Sequence, residues 1–327
     1  MGNGVGRVPW IRDQAWLGWP GLADESRRPL LLLVNPVAGG KLGSGPALSP
    51  DTERLQPEAL AAALRERGLE VELRALDADD DVAQLASEGA ARGRDVIIAG
   101  GDGTVGAATA ALVGGEATLG ILALGSFNNV AHGIGIPLTL DEALDVISLG
   151  RVRLVDIGEA RTAGGSSSLF LEAAGVGLDA AGFGVAELSE QNPLAALRAA
   201  WRVVRGRQRR MRLLIDGRQG AARAPAVTIC NGPYHGFGFL LAPQADPADG
   251  KLDVAVFSGM TATDVLRHFW RVARHRPFRE PRLRLVTCAE LSVEAVHGSL
   301  PVHADGRSIG TTPASFRVRQ GALRIFV

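Results

Sequence analysis

The first regular feature of the chain is LLLLV at 30–34, a run with no polar position that stops at Asn35-Pro36. Such a run reads as a strand buried on both faces. A Gly/Pro/Ser-rich loop follows to about Thr52. PEALAAALRERG (57–68) then reads as a helix, with Pro57 near its first turn and Gly68 as its stop. LEVELRAL (69–76) alternates as a strand, 80–92 is helical, and DVIIA (95–99) is a second fully apolar strand. GGDGT turns the corner into the helix VGAATAALV, LGILAL (119–124) is a strand, and GSFNN is a loop. Thr139 and Glu142 have the spacing of a capping box for the helix DEALDVISLG. Strands alternating with helices predict βαβ units, hence a mostly parallel sheet covered by helices on both faces.

After about Arg151 the grammar changes. Short apolar runs separated by turn signals (RVRLVDIGEA, SLFLEAAGV, RRMRLLIDG, APAVTICNG, GFLLAP, KLDVAVFSG, LRLVTCAELSVEA, LPVHADG, ASFRVRQG, ALRIFV) predict a β-rich unit, expected to be a sandwich. Asp216-Gly217 and Asp305-Gly306 are hairpin-turn dipeptides. Helices are expected near 193–205 and 263–273. The predicted fold class is therefore α/β plus all-β. It comprises an irregular arm over 1–28, an α/β domain over 29–150 and a β-sandwich over 151–327, whose last strands are allowed to return to the first domain. No internal repeat is present.

Composition adds exclusions. Lys+Arg and Asp+Glu each number 35, so the formal charge is zero and no nucleic-acid partner is expected. Cys230 and Cys288 sit in unrelated contexts, and the six histidines show no metal-ligand spacing. A reducing cytoplasm is the expected compartment. No stretch has the length of a membrane span and the opening residues lack a signal-peptide core.

Chemistry concentrates at 97–109, IIAGGDGTVGAAT. Gly100, Gly101 and Gly103 permit close approach of backbone to a ligand, and the following helix N-terminus favours negative charge. Asp102 needs a cation or a hydroxyl as partner, and a nucleotide with Mg²⁺ supplies both. The spacing Gly101-x-Gly103-x-x-Gly106 satisfies a dinucleotide fingerprint but follows the third strand rather than the first, and Walker A is absent. Two further loops, Asn35 to Lys41 and Leu124 to Asn129, also follow strands predicted to be parallel. Ligands of open α/β sheets bind beyond such strand ends, so the three loops are expected to share one site.

The order of these motifs resembles the diacylglycerol kinase catalytic-domain family, with its bacterial lipid kinase and sphingosine and ceramide kinase relatives. The motifs are Asn35-Pro-x-x-Gly39, Gly100-Gly-Asp-Gly-Thr104, and Leu124-Gly-Ser-Phe-Asn-Asn through Pro137. EAAGVGLDA (172–180), NGPYHGFGFLLAPQADPADGKLDV (231–254) and the tail from Thr311 continue it, so that it covers about 29–327. The resemblance implies a nucleotide domain related to NAD kinases and phosphofructokinases, a C-terminal sandwich and a cleft between them. It implies ATP-dependent phosphorylation of a lipid hydroxyl, with diacylglycerol the leading acceptor. ATP–Mg²⁺ would be held by Asn35, Gly39, Gly100, Gly101, Asp102, Gly103, Thr104, Gly125, Ser126 and Asn128. Asp305 would be the general base. Asp246, Asp249 and Lys251 would hold a structural Mg²⁺.

The chain departs from the family pattern at Ser126 (usually Thr), at Asn129 (usually Asp) and at Arg307 (usually Glu in Asp-Gly-Glu). The last two replace family carboxylates and so motivate an alternative, a lipid- or nucleotide-binding relative of low turnover; Arg307 is placed either to neutralise phosphate charge or to pair with Asp305 and weaken it as a base. A soluble-substrate kinase acting on NAD is the third reading. The basic, aromatic segments 194–212 and 264–284 suit peripheral contact at the inner face of a membrane, the plainer alternative being helices that cap the sandwich. A homodimer is allowed for.

Overall fold

A computed structural model describes residues 22–23, 28–38, 53–180, 208–236, 238–261, 263–265, 267, 271 and 280–327. Gly39, most of the arm, the helix expected at 193–205 and most of 263–273 lie outside the described residues. So does much of both candidate membrane segments.

Four parallel strands lie in the order Val71–Ala75, Leu30–Val34, Asp95–Gly100, Thr118–Ala123. The apolar run 30–34 is buried at every position because helices cover both of its faces. Leu30, Leu32 and Val34 pack with helices Pro57–Glu66 and Leu140–Leu149. Leu31 and Leu33 pack with Val82–Ala91, Asp102–Leu112 and Asn129–Ile134. Period-two alternation thus splits one strand between two cores.

The sheet does not end there. The last strand, Ala314–Phe326, pairs in parallel with 118–123 through Arg324 and Ile325, and antiparallel with Arg151–Thr162. A register shift between Arg319 and Leu323 bends it. Its first half continues the same sheet into Glu290–Ala295, Arg209–Ile215 and Arg218–Ala224; with Leu22–Ala23 and Ser167–Phe170, both paired with 151–162, the sheet has eleven strands among the described residues. A second, antiparallel sheet has six strands in the order 283–288, 252–257, 226–230, 173–177, 301–304, 307–311. Phe170, Met211, Leu291 and Phe316 from the first sheet meet Val176, Val227, Ile229 and Val302 from the second. This is the sandwich.

Three local expectations are corrected. Helix 102–112 begins at Asp102, with Gly101 as its N-cap, so the GDG segment is the first helical turn rather than a preceding corner. Thr139 is an N-cap, but its hydroxyl donates to the Glu142 carboxylate instead of accepting a backbone N–H, so no reciprocal capping box forms. The run 238–243 contributes only Phe239–Leu240, paired with Tyr234–His235; Pro243 lacks the N–H that a longer ladder needs.

Candidate active site

Three loops converge at the carboxyl ends of the parallel strands. Asn35 donates from Nδ2 to Thr104 Oγ1 at 3.1 Å, while its Oδ1 accepts the Val37 N–H at 3.1 Å. Gly101 and Gly125 touch through bare backbone: a Cβ on Gly125 would stand 2.6 Å from Gly101 Cα. Any side chain would push the loops apart. A Cβ on Gly100 would stand 3.0–3.3 Å from the Thr104 side chain, whereas one on Gly103 would meet no protein atom within 4 Å. Asn128 adopts a left-handed conformation (φ 53°) and braces its own loop, its Oδ1 accepting from Gly125 N at 2.8 Å. Ser126 and Phe127 stand exposed beside it.

Asp102 does not face its surroundings uncompensated. Its two carboxylate oxygens accept the N–H groups of Asn129 and Val130, each at 3.1 Å, and so hold the start of helix 129–134. Burial pushes its pKa up, those amides pull it down, and the nearby Glu172 carboxylate raises it again. The carboxylate between glycines therefore has a protein partner that the sequence did not show. Backbone amides meet part of the need assigned there to a cation or hydroxyl.

From here the contacts cross to the sandwich. The buried Asn129 donates from Nδ2 to Glu172 Oε2 at 2.9 Å and to the Gly236 carbonyl at 2.6 Å. Both partners are acceptors, which fixes the amide orientation and leaves Asn129 Oδ1 buried without a hydrogen-bond partner. Glu172 Oε1 accepts the Gly236 N–H. Asp305 and Gly306, at φ 43° and 77°, form the two-residue turn that joins strands 301–304 and 307–311. The Asp305 side chain reaches back to the segment beginning at Leu171. Oδ2 accepts Leu171 N–H at 2.8 Å, and Oδ1 accepts Glu172 and Ala173 N–H at 3.0 Å each. Burial and Glu172 together push its pKa up to about 7, against the lowering effect of those three amides. Among the described residues no ion pair joins the exposed Arg307 to Asp305; of the two roles open to Arg307 the pairing does not form, because backbone amides occupy the carboxylate.

Asp246, Asp249 and Lys251 lie on one surface turn. Asp246 pairs with Arg153 at 2.7 Å and accepts Ala248 N–H, and Asp249 Oδ1 accepts Lys251 N–H at 2.9 Å. The buried Asp156 underpins the turn by accepting Gly250 N–H at 2.6 Å and Gly321 N–H at 2.7 Å. The residues at the loops also fit a hard cation. Asn129 Oδ1 is a buried, unpartnered oxygen on the residue whose backbone N–H the Asp102 carboxylate accepts, and oxygen donors of this kind suit Mg²⁺. A cavity of about 790 Å³ between Arg212–Leu214 and Ser292–Glu294 lies on the sandwich, away from the three loops, and offers none of this chemistry.

Four residues of this region were not singled out from the sequence: Glu172, Asp179, His235 and His303. Glu172 was legible in principle, as a carboxylate placed directly before the apolar strand Ala173–Gly177. The histidines were not, because only strand pairing brings them together. His235 Nε2 lies 2.9 Å from Asp179 Oδ1 and His303 Nε2 lies 3.2 Å from Oδ2, the two rings stacking at 5.8 Å.

Known proteins resemble both halves of the chain. Residues 29–160 match the diacylglycerol kinase catalytic domain, and 175–327 match the YegS C-terminal NAD kinase beta sandwich-like domain. A Pseudomonas aeruginosa PAO1 protein named probable lipid kinase YegS-like is 32% identical over 281 residues, covering 82% of this chain and 88% of that protein. A diacylglycerol kinase of Mycobacterium tuberculosis H37Rv is 28% identical over 286 residues, covering 81% and 87%. A solved structure described as a diacylglycerol kinase from Bacillus anthracis str. Sterne shares the fold, with a TM-score of 0.67 at 23% identity over 91% of this chain and 96% of that one. With both halves of the chain matched and a relative 32% identical across 82% of it, this protein belongs to the diacylglycerol kinase catalytic-domain family.

Proposed function

We propose that the protein is an ATP-dependent lipid kinase that transfers the γ-phosphate of ATP to a lipid hydroxyl, with diacylglycerol as acceptor and phosphatidic acid as product. Family membership makes it a phosphotransferase with an alcohol acceptor. The observation that carries the finer reading is the chain of contacts from the glycine loops to the sandwich. Asp102 binds the Asn129 amide, Asn129 binds Glu172, and the Glu172 backbone binds Asp305.

The glycine loops receive the phosphates: bare backbone at Gly103 leaves open space for an oxygen, and the close contact of Gly101 with Gly125 holds the two loops together. Thr104, Asn35 and Ser126 offer hydroxyl and amide groups around them. Mg²⁺, when bound, neutralises charge on the phosphate oxygens, and Asp102 with Asn129 Oδ1 would hold it. The acceptor hydroxyl forms a bond to the γ-phosphorus while the bridging oxygen leaves with ADP. Asp305 takes the hydroxyl proton, for which a pKa near 7 is well placed. The sandwich side of the cleft receives the lipid, and contact with the membrane is peripheral, at its inner face. Among the described residues no helix is long and apolar enough to cross a membrane.

One observation favours a second reading, a binding protein of low turnover: Asp305 already accepts three backbone N–H groups, which lowers its capacity as a base. Labelled ATP, Mg²⁺ and micelles of diacylglycerol, sphingoid base or ceramide separate the two. Labelled phosphatidic acid supports the kinase; tight ATP binding with no labelled lipid in any mixture replaces it with the binder.

A further inference from the structure

The histidine cluster closes a ring of contacts through Glu172 and the Asp305 turn. Asp305 accepts the amides of Leu171, Glu172 and Ala173. The Glu172 carboxylate makes a 3.4 Å ionic contact with His235 Nδ1. His235 Nε2 donates to Asp179 Oδ1 at 2.9 Å. Asp179 Oδ2 takes the Thr228 hydroxyl at 2.7 Å and His303 Nε2 at 3.2 Å. His303 Nδ1 accepts the Gly306 N–H at 3.3 Å, and Gly306 follows Asp305 in the turn.

The acceptor role of His303 Nδ1 fixes its tautomer. With Nδ1 accepting, the ring proton sits on Nε2 and points at Asp179. That argues against a metal at Asp179, His235 and His303, although their ligand atoms lie within 4.8 Å of one another, because a metal would need the Nε2 lone pair. The cluster is a proton-loaded ion network instead. Burial works against a charge on His235, but Asp179 and Glu172 outweigh it and push its pKa up to about 10. Asp179 is held well below the usual carboxylate range by the two histidines despite its burial. Gly175 makes the network possible, since a Cβ there would stand 2.1 Å from Asp179 Oδ2 and 2.4 Å from His303 Nε2.

We propose that His235 is a positioning residue of the phosphotransfer site: its contact with Glu172 holds that carboxylate between Asn129 and the Asp305 turn, so that the nucleotide loops and the base keep one spacing. The inference rests on the kinase reading for its consequence, and on the ring alone for its geometry. Glu172 is the shared member, its side chain reaching Asn129 and Gly236 while its backbone reaches Asp305. Glu172 also raises the pKa of both Asp102 and Asp305, so it would repel its neighbours without a cationic partner.

Two substitutions divide the contacts of His235. Asn places an amide near the Nδ1 position and keeps the link to Glu172. Gln reaches the Nε2 position and keeps only the link to Asp179. Positioning through Glu172 predicts that His235→Gln lowers kcat roughly 10- to 100-fold, with KM for ATP changing no more than about 3-fold, and that His235→Asn loses distinctly less. A merely structural role predicts the reverse, with activity following thermal stability and Gln the milder change. That reverse order overturns the proposal, and so does one equivalent of zinc per chain in the purified protein. If neither variant folds, His303→Gln opens the ring at its Gly306 link, and an unchanged kcat overturns the proposal. The wild-type rate in the same assay tests the kinase reading separately. If wild type transfers no phosphate, amide exchange decides on the ring: faster exchange at Glu172, Ala173 and Gly306 in His235→Gln than in His235→Asn supports it, and equal exchange overturns it.

Discussion

Gly103→Ala separates a ligand's space from the protein's own. Gly103 is the second residue of helix 102–112, is exposed, and would carry a Cβ with no neighbour within 4 Å. Within the protein the added methyl costs nothing. It improves helix propensity by up to about 1 kcal/mol, less in a first turn, and so raises Tm by ~1–3 °C. The open space lies at the loop assigned to the phosphates, where a methyl group holds the backbone away from an oxygen that needs close approach. Losing one charge-assisted hydrogen bond costs about 1.5–3 kcal/mol, which is roughly 10- to 150-fold in affinity. Calorimetric titration with ATP–Mg²⁺ beside a melting curve reads both effects. Tighter folding with ATP affinity at least ~10-fold weaker is expected. Higher Tm with unchanged ATP affinity would refute the placement of the phosphates against Gly103. Gly125→Ala is the contrasting case: its Cβ would stand 2.6 Å from Gly101 Cα, so stability and ATP affinity fall together.

Three further outcomes are expected. Asp305→Asn removes transfer and leaves ATP affinity within about 3-fold, and wild-type activity rises with pH through about 7 as Asp305 ionises; a flat profile from pH 5 to 8 contradicts its role as base. The sign for stability is opposite. The folded chain keeps the Asp305 proton up to about 7, whereas the unfolded chain loses it near 3.8, so this residue's contribution to stability falls as pH rises between those values, and Asp305→Asn removes that slope in denaturant titrations. Glu172→Gln removes a negative neighbour of both Asp102 and Asp305, so the acidic limb of the rate profile moves to lower pH, and an unmoved limb contradicts the coupling. Asp246→Ala with Asp249→Ala lowers the bound Mg²⁺ of protein dialysed free of nucleotide while sparing ATP affinity; undiminished Mg²⁺ would contradict a structural ion at this turn.

Periodicity carried the α/β part of the fold because each strand there is bounded by its own turn residues and the 30–34 run has no polar position. It did not carry the return of 314–326 into the first sheet as more than an option. Pairing of Ile325 with Leu119 joins residues far apart in the chain, and either strand reads as apolar whichever neighbour it has. At the site, glycines announced themselves because bare backbone flanking one acid is chemically distinctive. Asp102 illustrates the limit: its residue type and position were legible, but its partners are the amides of Asn129 and Val130, and backbone donors leave no mark in a sequence. The His235 and His303 pair was hidden for a related reason. Strand pairing brings 303 beside 175, a separate hairpin carries 235, and the two rings meet on Asp179 only in the folded chain.

The central claim is transfer of phosphate to a lipid across the contacts that join Asp102 to Asp305. Incubation of the purified protein with γ-labelled ATP, Mg²⁺ and diacylglycerol in mixed micelles, followed by separation of the lipids, tests it most directly. Label in phosphatidic acid is expected with wild type, and none with Asp102→Ala or Asp305→Asn. Label that stays in ATP, or is released only as inorganic phosphate, would contradict it.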